Sequence, residues 1–153
     1  MLIIGSDHAG YDLKENIKKK LEEHNIKYLD VSLEYNDKDD YPDIAYSVTK
    51  KVLENNENLG IAICGTGIGI SIACNKVKKI RASVITDLET VMLSRKHNDL
   101  NVMCLGGRLN YTKDIDKVFE MINTFLNTKF EGERHMIRLD KITKIENNNM
   151  SEI

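Results

Sequence analysis

Five short apolar segments, each followed by a polar or amphipathic stretch of helical character, predict an α/β fold for this chain. A second observation marks the ligand edge: the third segment, Leu59–Cys64, runs straight into Gly65-Thr66-Gly67-Ile68-Gly69, where glycines stand at alternate positions. A run that short and that apolar, bounded by Asn58 and Gly65, is expected of a strand covered on both faces of a parallel sheet. Strand and helix alternation implies right-handed crossovers. The expected architecture is therefore a Rossmann-like three-layer αβα sandwich with a five-stranded parallel sheet, followed by a C-terminal helical extension.

Taken in order, residues 2–5 read as the first strand, 11–24 as a charged amphipathic helix and 27–31 as a second strand. In that helix Glu15 and Lys19, and Lys18 and Glu22, stand at i,i+4 spacing, so its lysines are expected on a solvated face, with His24 also at the surface. Residues 32–41 form a polar, Asp-rich loop, after which the only proline, Pro42, can open a helix over 43–53. Beyond the glycine loop Ile70, Ile72, Ala73 and Val77 fall at helical spacing. A fourth strand is expected over 80–85, its helix over 88–97, and a fifth strand over 102–105 closed by Gly106-Gly107-Arg108. The helix over 114–126 carries Ile115, Val118, Phe119, Ile122 and Phe125 on one face. In the tail, Met136, Leu139, Ile142 and Ile145 recur every three residues within 129–145. That helix has no slot in a five-strand sandwich, so it is expected to pack across a surface or onto another subunit, with 147–153 frayed.

The chain has 153 residues, enough for one domain with a real core, of which about 127–153 is the extension. Its formal net charge of -2 gives no reason to expect nucleic acid or an anionic membrane as the main partner. No apolar segment is long enough to span a bilayer, and the first strand starts without a basic or apolar leader, so a cytoplasmic protein is expected. The three cysteines, Cys64, Cys74 and Cys104, are odd in number and lack Cys-x-x-Cys spacing, which argues against a disulfide framework and against a zinc cluster.

The glycine loop admits three readings. It can be a tight strand-to-helix turn whose cysteine merely packs. It can be a dinucleotide loop, although the spacing is Gly-x-Gly-x-Gly and it follows the third strand, not the first. It can hold a catalytic thiolate beside backbone amides that stabilise an enediolate. Other polar residues fall at the same predicted rim: Asp7 and His8 after the first strand, Tyr41 after the second, Arg108 after the fifth. Each has a plain structural alternative, with Asp7 as a helix cap, His8 in a structural hydrogen bond, Tyr41 in the core and Arg108 in a surface ion pair. Together they meet where α/β folds bind ligands. A receiver-like signalling domain would need an aspartate where Cys64 stands, and a nicotinamide enzyme an acidic ribose anchor where the fourth strand ends Val84-Ile85-Thr86.

The stretches Gly5-Ser6-Asp7-His8-Ala9-Gly10, Asp40-Tyr41-Pro42-Asp43, Cys64 to Ser71, Ser94 to Asn101, and Gly132-Glu133-Arg134-His135 with Arg138 closely resemble the type B ribose-5-phosphate isomerases. That family also includes allose-6-phosphate and galactose-6-phosphate isomerases. The resemblance implies that Cys64 moves a proton between C1 and C2 of the sugar, with Thr66 assisting at its oxygens. It implies Asp7 and His97 in ring opening, and His8, Arg108, Arg134 and Arg138 on the phosphate. Tyr41, Gly65, Gly67, Ile68, Gly69, Asn98 and His135 match further pocket positions. One branch of the family carries a carboxylate base at the position of Ile68, so this chain resembles the cysteine branch. No cofactor and no metal are implied. The implied assembly is a homodimer with shared active sites, with a tetramer left open. The alternatives kept are a six-carbon sugar-phosphate isomerase and a non-catalytic sugar-phosphate-binding module.

Geometry makes the same point about assembly. A helix over 88–97 is about 15 Å long and runs back from the rim, so His97 and Asn98 are expected at the opposite edge of their own subunit.

Overall fold

The structure, a computed structural model, describes residues 1–148. Leu2–Ser6 (β1), Tyr28–Asp30 (β2), Leu59–Cys64 (β3), Ala82–Val84 (β4) and Val102–Gly106 (β5) form an all-parallel sheet in the order β2-β1-β3-β5-β4. The helices are Tyr11–Glu23 (α1), Tyr41–Val52 (α2), Ile68–Cys74 (α3), Leu88–Asn98 (α4), Ile115–Asn127 (α5) and Arg134–Glu146 (α6), with a 3-10 turn at Asn110–Lys113. This is the anticipated three-layer α/β sandwich.

Alternation along the central strands divides the core. Leu2, Ile4, Ile61, Ile63, Met103 and Leu105 pack in the layer that holds Leu13 and Ile17 of α1, Val91 of α4 and Phe125 of α5. Ile3, Ala62, Cys64, Val102 and Cys104 pack with Val48 of α2 and Ile70 of α3 on the other face. Because β1, β3 and β5 are covered on both sides, they read as unbroken apolar runs. Their register sets Ser6 beside Ile63 and Cys64 beside Gly106, so the three strands end level. On one side of β1 the chain places β2, and on the other it places β3, then the edge strand β4, and returns to set β5 between them. That reversal, between β1 and β3, is the switch point outside whose strand ends α/β folds bind ligands.

Several local expectations are corrected. The first concerns the α1 lysines: Lys19 is exposed as expected, but Lys14 is fully buried, its Nζ 2.7 Å from Asp30 Oδ2 and donating also to the Ser32 carbonyl. Lys18 likewise pairs with Asp30 at 3.0 Å and with Glu15 at 2.9 Å, in place of Glu22. Burial pushes the Asp30 carboxyl up, but hydrogen bonds from Lys14, the Ser32 amide and Lys18 outweigh it and hold it below its ordinary value. Second, α3 stops at Cys74 and does not reach Val77, because the Asn75 side chain bonds both the N–H (2.9 Å) and the carbonyl (2.8 Å) of Ala82. Third, β4 is confined to Ala82–Val84 at the sheet edge, and α2 begins at Tyr41 with Pro42 in its first turn, where a missing N–H costs nothing. Finally, the tail helix α6 begins only at Arg134, and it packs across its own subunit's surface, one of the two placements expected, with the Glu146 carboxylate accepting the Lys79 N–H at 2.9 Å. Of the frayed end expected over 147–153, residues 149–153 lie outside the described residues, and Asn147 accepts a hydrogen bond from Lys78 at 3.3 Å.

Removing one partner of a buried ion pair strands the other. Lys14→Met is therefore expected to lower unfolding free energy by about 3 kcal/mol in urea titrations, the low end for such a loss because Lys18 still reaches Asp30. The Asp30 contribution is present above the ordinary carboxylate value and lost as pH falls through its depressed folded value. A loss under about 1 kcal/mol would show that the pair is structurally idle.

Candidate active site

The crevice at the strand reversal is built by three strand ends stitched together. The N–H of Asp7 donates to the Ile63 carbonyl (3.1 Å), that of Gly107 to the Cys64 carbonyl (2.8 Å) and that of Arg108 to the Gly65 carbonyl (3.0 Å). Asp7 is buried, and its Oδ1 accepts the amides of Ala9 (2.9 Å) and Gly10 (3.1 Å) at the entry to α1. Burial pushes the Asp7 carboxyl above its ordinary value against the lowering effect of those amides. His8, next along, has its ring Nδ1 3.0 Å from Asp39 Oδ1.

At the end of β3 the Cys64 Sγ accepts the N–H of Gly67 at 3.2 Å. Gly67 is the residue of the loop that uses glycine's conformational freedom: its φ is +79°, and an added Cβ would meet the Leu105 backbone at 3.1 Å. Gly69 is required for space instead, since a Cβ there would lie 2.9 Å from the Tyr41 ring. Tyr41 thus covers the loop and is 41% exposed, which removes it from the core. Thr66 is exposed, with its Oγ1 accepting the Ile68 N–H at 3.3 Å, and Ile68 projects into solvent at the start of α3. The Arg108 side chain lies over Gly65, 3.4 Å from where a Cβ would be, and among the described residues no carboxylate pairs with it. The surface ion pair considered for Arg108 is not formed.

The other anticipated site residues lie elsewhere. His97 and Asn98 end α4, which runs back from the rim to the N-terminal edge of the sheet. Arg81, just before β4, pins that end through Nε to the carbonyls of Asn98 (2.8 Å) and Asp99 (2.9 Å), while Asp99, in a left-handed conformation, pairs with Arg81 and Arg95. There His135 of α6 stacks on His97 with ring centroids 4.3 Å apart and planes 12° from parallel. Burial, with His97 and Arg134 nearby, pushes His135 below the ordinary histidine value. Arg138 donates to the Arg134 carbonyl at 2.8 Å, and both guanidiniums are exposed. One chain therefore brings together Asp7, His8, Tyr41, Cys64 to Gly69 and Arg108 at one edge, and His97, Asn98, Arg134, His135 and Arg138 at the other.

Among the described residues, His97, Glu131 and His135 have donor atoms within 4.8 Å of one another. Their geometry suits a metal ion poorly. Near-parallel stacked rings direct their in-plane lone pairs side by side and not at one point, and Arg134 Nε stands 3.4 Å from His135 Nε2. Two contacts had no signature in the sequence. Asp39, the partner of His8, is one of several aspartates in a polar loop, and Glu131 reaches His135 (3.7 Å) and Lys96 (3.6 Å) from an unpatterned linker.

A thiol at a glycine loop, with a histidine and a guanidinium on the same rim, stands at the strand switch point of an α/β fold, where such folds bind ligands. The sequence matches the ribose/galactose isomerase family over residues 2–142, and the chain belongs to that family. It is 37% identical to ribose-5-phosphate isomerase B of Escherichia coli K12 over 145 residues, 95% of each chain. The structure of Clostridium thermocellum ribose-5-phosphate isomerase B matches with a TM-score of 0.87 at 41% identity, covering 97% of this chain and 99% of that one. That of the Mycoplasma genitalium enzyme, which holds bound ribulose 5-phosphate, gives 0.85 at 38% identity over 95% of each chain. No described helix is long and apolar enough to cross a membrane.

Proposed function

We propose that this chain is a ribose-5-phosphate isomerase of the cysteine type, acting as a single isomerase domain in the cytoplasm on the pentose phosphate pathway. The observation that carries the reading is Cys64, whose sulfur sits at the strand switch point with the Gly67 N–H directed at it. Aldose-ketose exchange needs a base at the carbon beside a carbonyl, donors for the enediolate oxygen, and an acid/base pair to open the furanose.

In this reading Asp7 and His97 open the ring by moving the proton between the ring oxygen and the anomeric hydroxyl. The Cys64 sulfur then takes the C2 proton of the open aldose. The electron pair left behind forms the enediolate, whose oxygens meet Thr66 and the first-turn amides of Gly69 and Ile70, which have no partner within the helix. Return of the proton from the sulfur to C1, with the O2 proton passed to O1 beside Thr66, gives the ketose. His8 and Arg108 hold the phosphate, joined by Arg134 and Arg138, while Tyr41, Asn98 and His135 line the pocket. Because the two groups of residues stand at opposite edges of one chain, the working unit is a homodimer in which each site takes its rim from one subunit and His97 with Asn98 from the other.

A coupled assay with ribose 5-phosphate tests the activity, and no turnover would favour the non-catalytic binding module. The family also includes galactose isomerases by its description, so catalytic efficiencies on ribose 5-phosphate, allose 6-phosphate and galactose 6-phosphate need comparison. Ribose 5-phosphate is expected to lead. Exhaustive EDTA treatment should leave the rate unchanged, since amides and guanidiniums supply the charge stabilisation. A rate lost to chelation and restored by added metal would overturn that assignment.

A further inference from the structure

We propose that Asp39 is the positioning residue of the phosphate site, holding His8 as an oriented, charged donor to the phosphoryl group of the substrate. The inference rests on the reading of His8 as a phosphate ligand. Asp39 Oδ1 accepts two hydrogen bonds from one residue, the backbone N–H of His8 at 2.8 Å and its ring Nδ1 at 3.0 Å. A single oxygen that takes both donors fixes the ring relative to its own backbone and requires the proton on Nδ1. A neutral ring held that way presents Nε2 as an acceptor, which repels a phosphate oxygen. Only the imidazolium carries a donor on both nitrogens. The site therefore works with His8 charged.

The surroundings favour that charge. The hydrogen bond to Asp39 is the main cause lifting His8 above the ordinary histidine value, desolvation opposes it, and the Asp7 carboxylate adds to the lift. Asp7 faces His8 from the end of β1 and Asp39 from the β2–α2 connection, while Arg108 stands beyond Gly65 as the other cation of the rim. Asp39 itself is held in place: its side chain is 14% exposed, and the connection that carries it is anchored at its start. There the Ser32 carbonyl accepts from the buried Lys14, its Oγ accepts the Ser6 N–H at 2.9 Å, and its own N–H donates to Asp30 at 2.9 Å. The buried lysine of α1 thus sets the path of a loop whose far end orients the phosphate ligand.

Asp39→Asn keeps the shape and one acceptor and removes the charge. In NMR titrations of the histidine ring nitrogens, the His8 midpoint is expected to fall toward about 6.5 in the variant. At a pH between the two measured His8 midpoints the KM for ribose 5-phosphate should rise, by up to about tenfold for loss of one charge-assisted hydrogen bond, with the change falling on KM more than kcat. Below both measured midpoints, where the ring is charged in either protein, the difference should shrink, and Asp39→Glu should recover part of the loss. An unchanged His8 midpoint, or a loss confined to kcat at both pH values, overturns the proposal. Binding of inorganic phosphate, followed on the same His8 signals, needs no turnover and so separates this idea from the isomerase reading. Weaker phosphate binding by Asp39→Asn at a pH between the two measured His8 midpoints supports the pair even in a protein that does not turn over ribose 5-phosphate, and equal binding there overturns it. Asp39→Ser, too short to reach the ring, repeats the measurement if the asparagine variant does not fold.

Discussion

Cys64→Ala is expected to keep its affinity for ribose 5-phosphate while turnover falls by about a hundredfold or more, the usual contribution of a general base. The structure separates the three thiols. Cys64 lies at the mouth of the crevice, 5% exposed, with an amide N–H at its sulfur, whereas Cys74 and Cys104 have no exposed surface. The Cys104 thiol is further pushed up by the neighbouring Cys74 thiol and by burial, which disfavours its reaction as a thiolate. Iodoacetamide should therefore inactivate by modifying Cys64, and bound ribose 5-phosphate should protect. Wild-type turnover in Cys64→Ala, or inactivation that tracks modification of Cys74 or Cys104 and spares Cys64, would place the base elsewhere. Calorimetric binding of the sugar phosphate to the variant distinguishes a lost base from a collapsed site.

The parts of this chain that its sequence announces are those fixed by local chemistry. β3 and its loop are legible because a strand buried on both faces must be apolar throughout, and because the +79° φ at Gly67 excludes other residues at little cost. The parts that stay hidden depend on partners distant in the chain. Lys14 falls on a charged helix and reads as solvated, yet Asp30, sixteen positions further on, takes it into the core. Among Asp37, Asp39, Asp40 and Asp43, only the path of the loop decides which carboxylate meets His8. The apolar spacing of α6 is plain, but its resting place is set by the His97–His135 stack and by Glu146 on Lys79, contacts between segments that no periodicity connects. The candidate residues fall into two groups at opposite edges of the chain, a division the length of the 88–97 helix already predicts.

That division yields the sharpest test of the assembly. His97→Ala is expected to be nearly inactive, like Cys64→Ala, although the two positions stand at opposite edges of the chain. If each site joins the Cys64 rim of one subunit to the His97 of its partner, mixing the two inactive variants must restore activity. Random exchange at equal amounts makes about half of the dimers mixed. In each mixed dimer one site carries both defects and the other carries neither, so total activity should return to about a quarter of wild type. The quarter assumes independent sites, equal exchange and near-complete loss in each parent, and mass spectrometry of the mixture checks the exchange directly. Recovery on mixing cannot come from a site contained in one chain, since every chain present lacks one of its two groups. If mixed dimers form and no activity returns, His97 either acts within its own chain or has no part in the chemistry, and in the second case the α4 terminus, pinned by Arg81 and Asp99, is a structural corner alone.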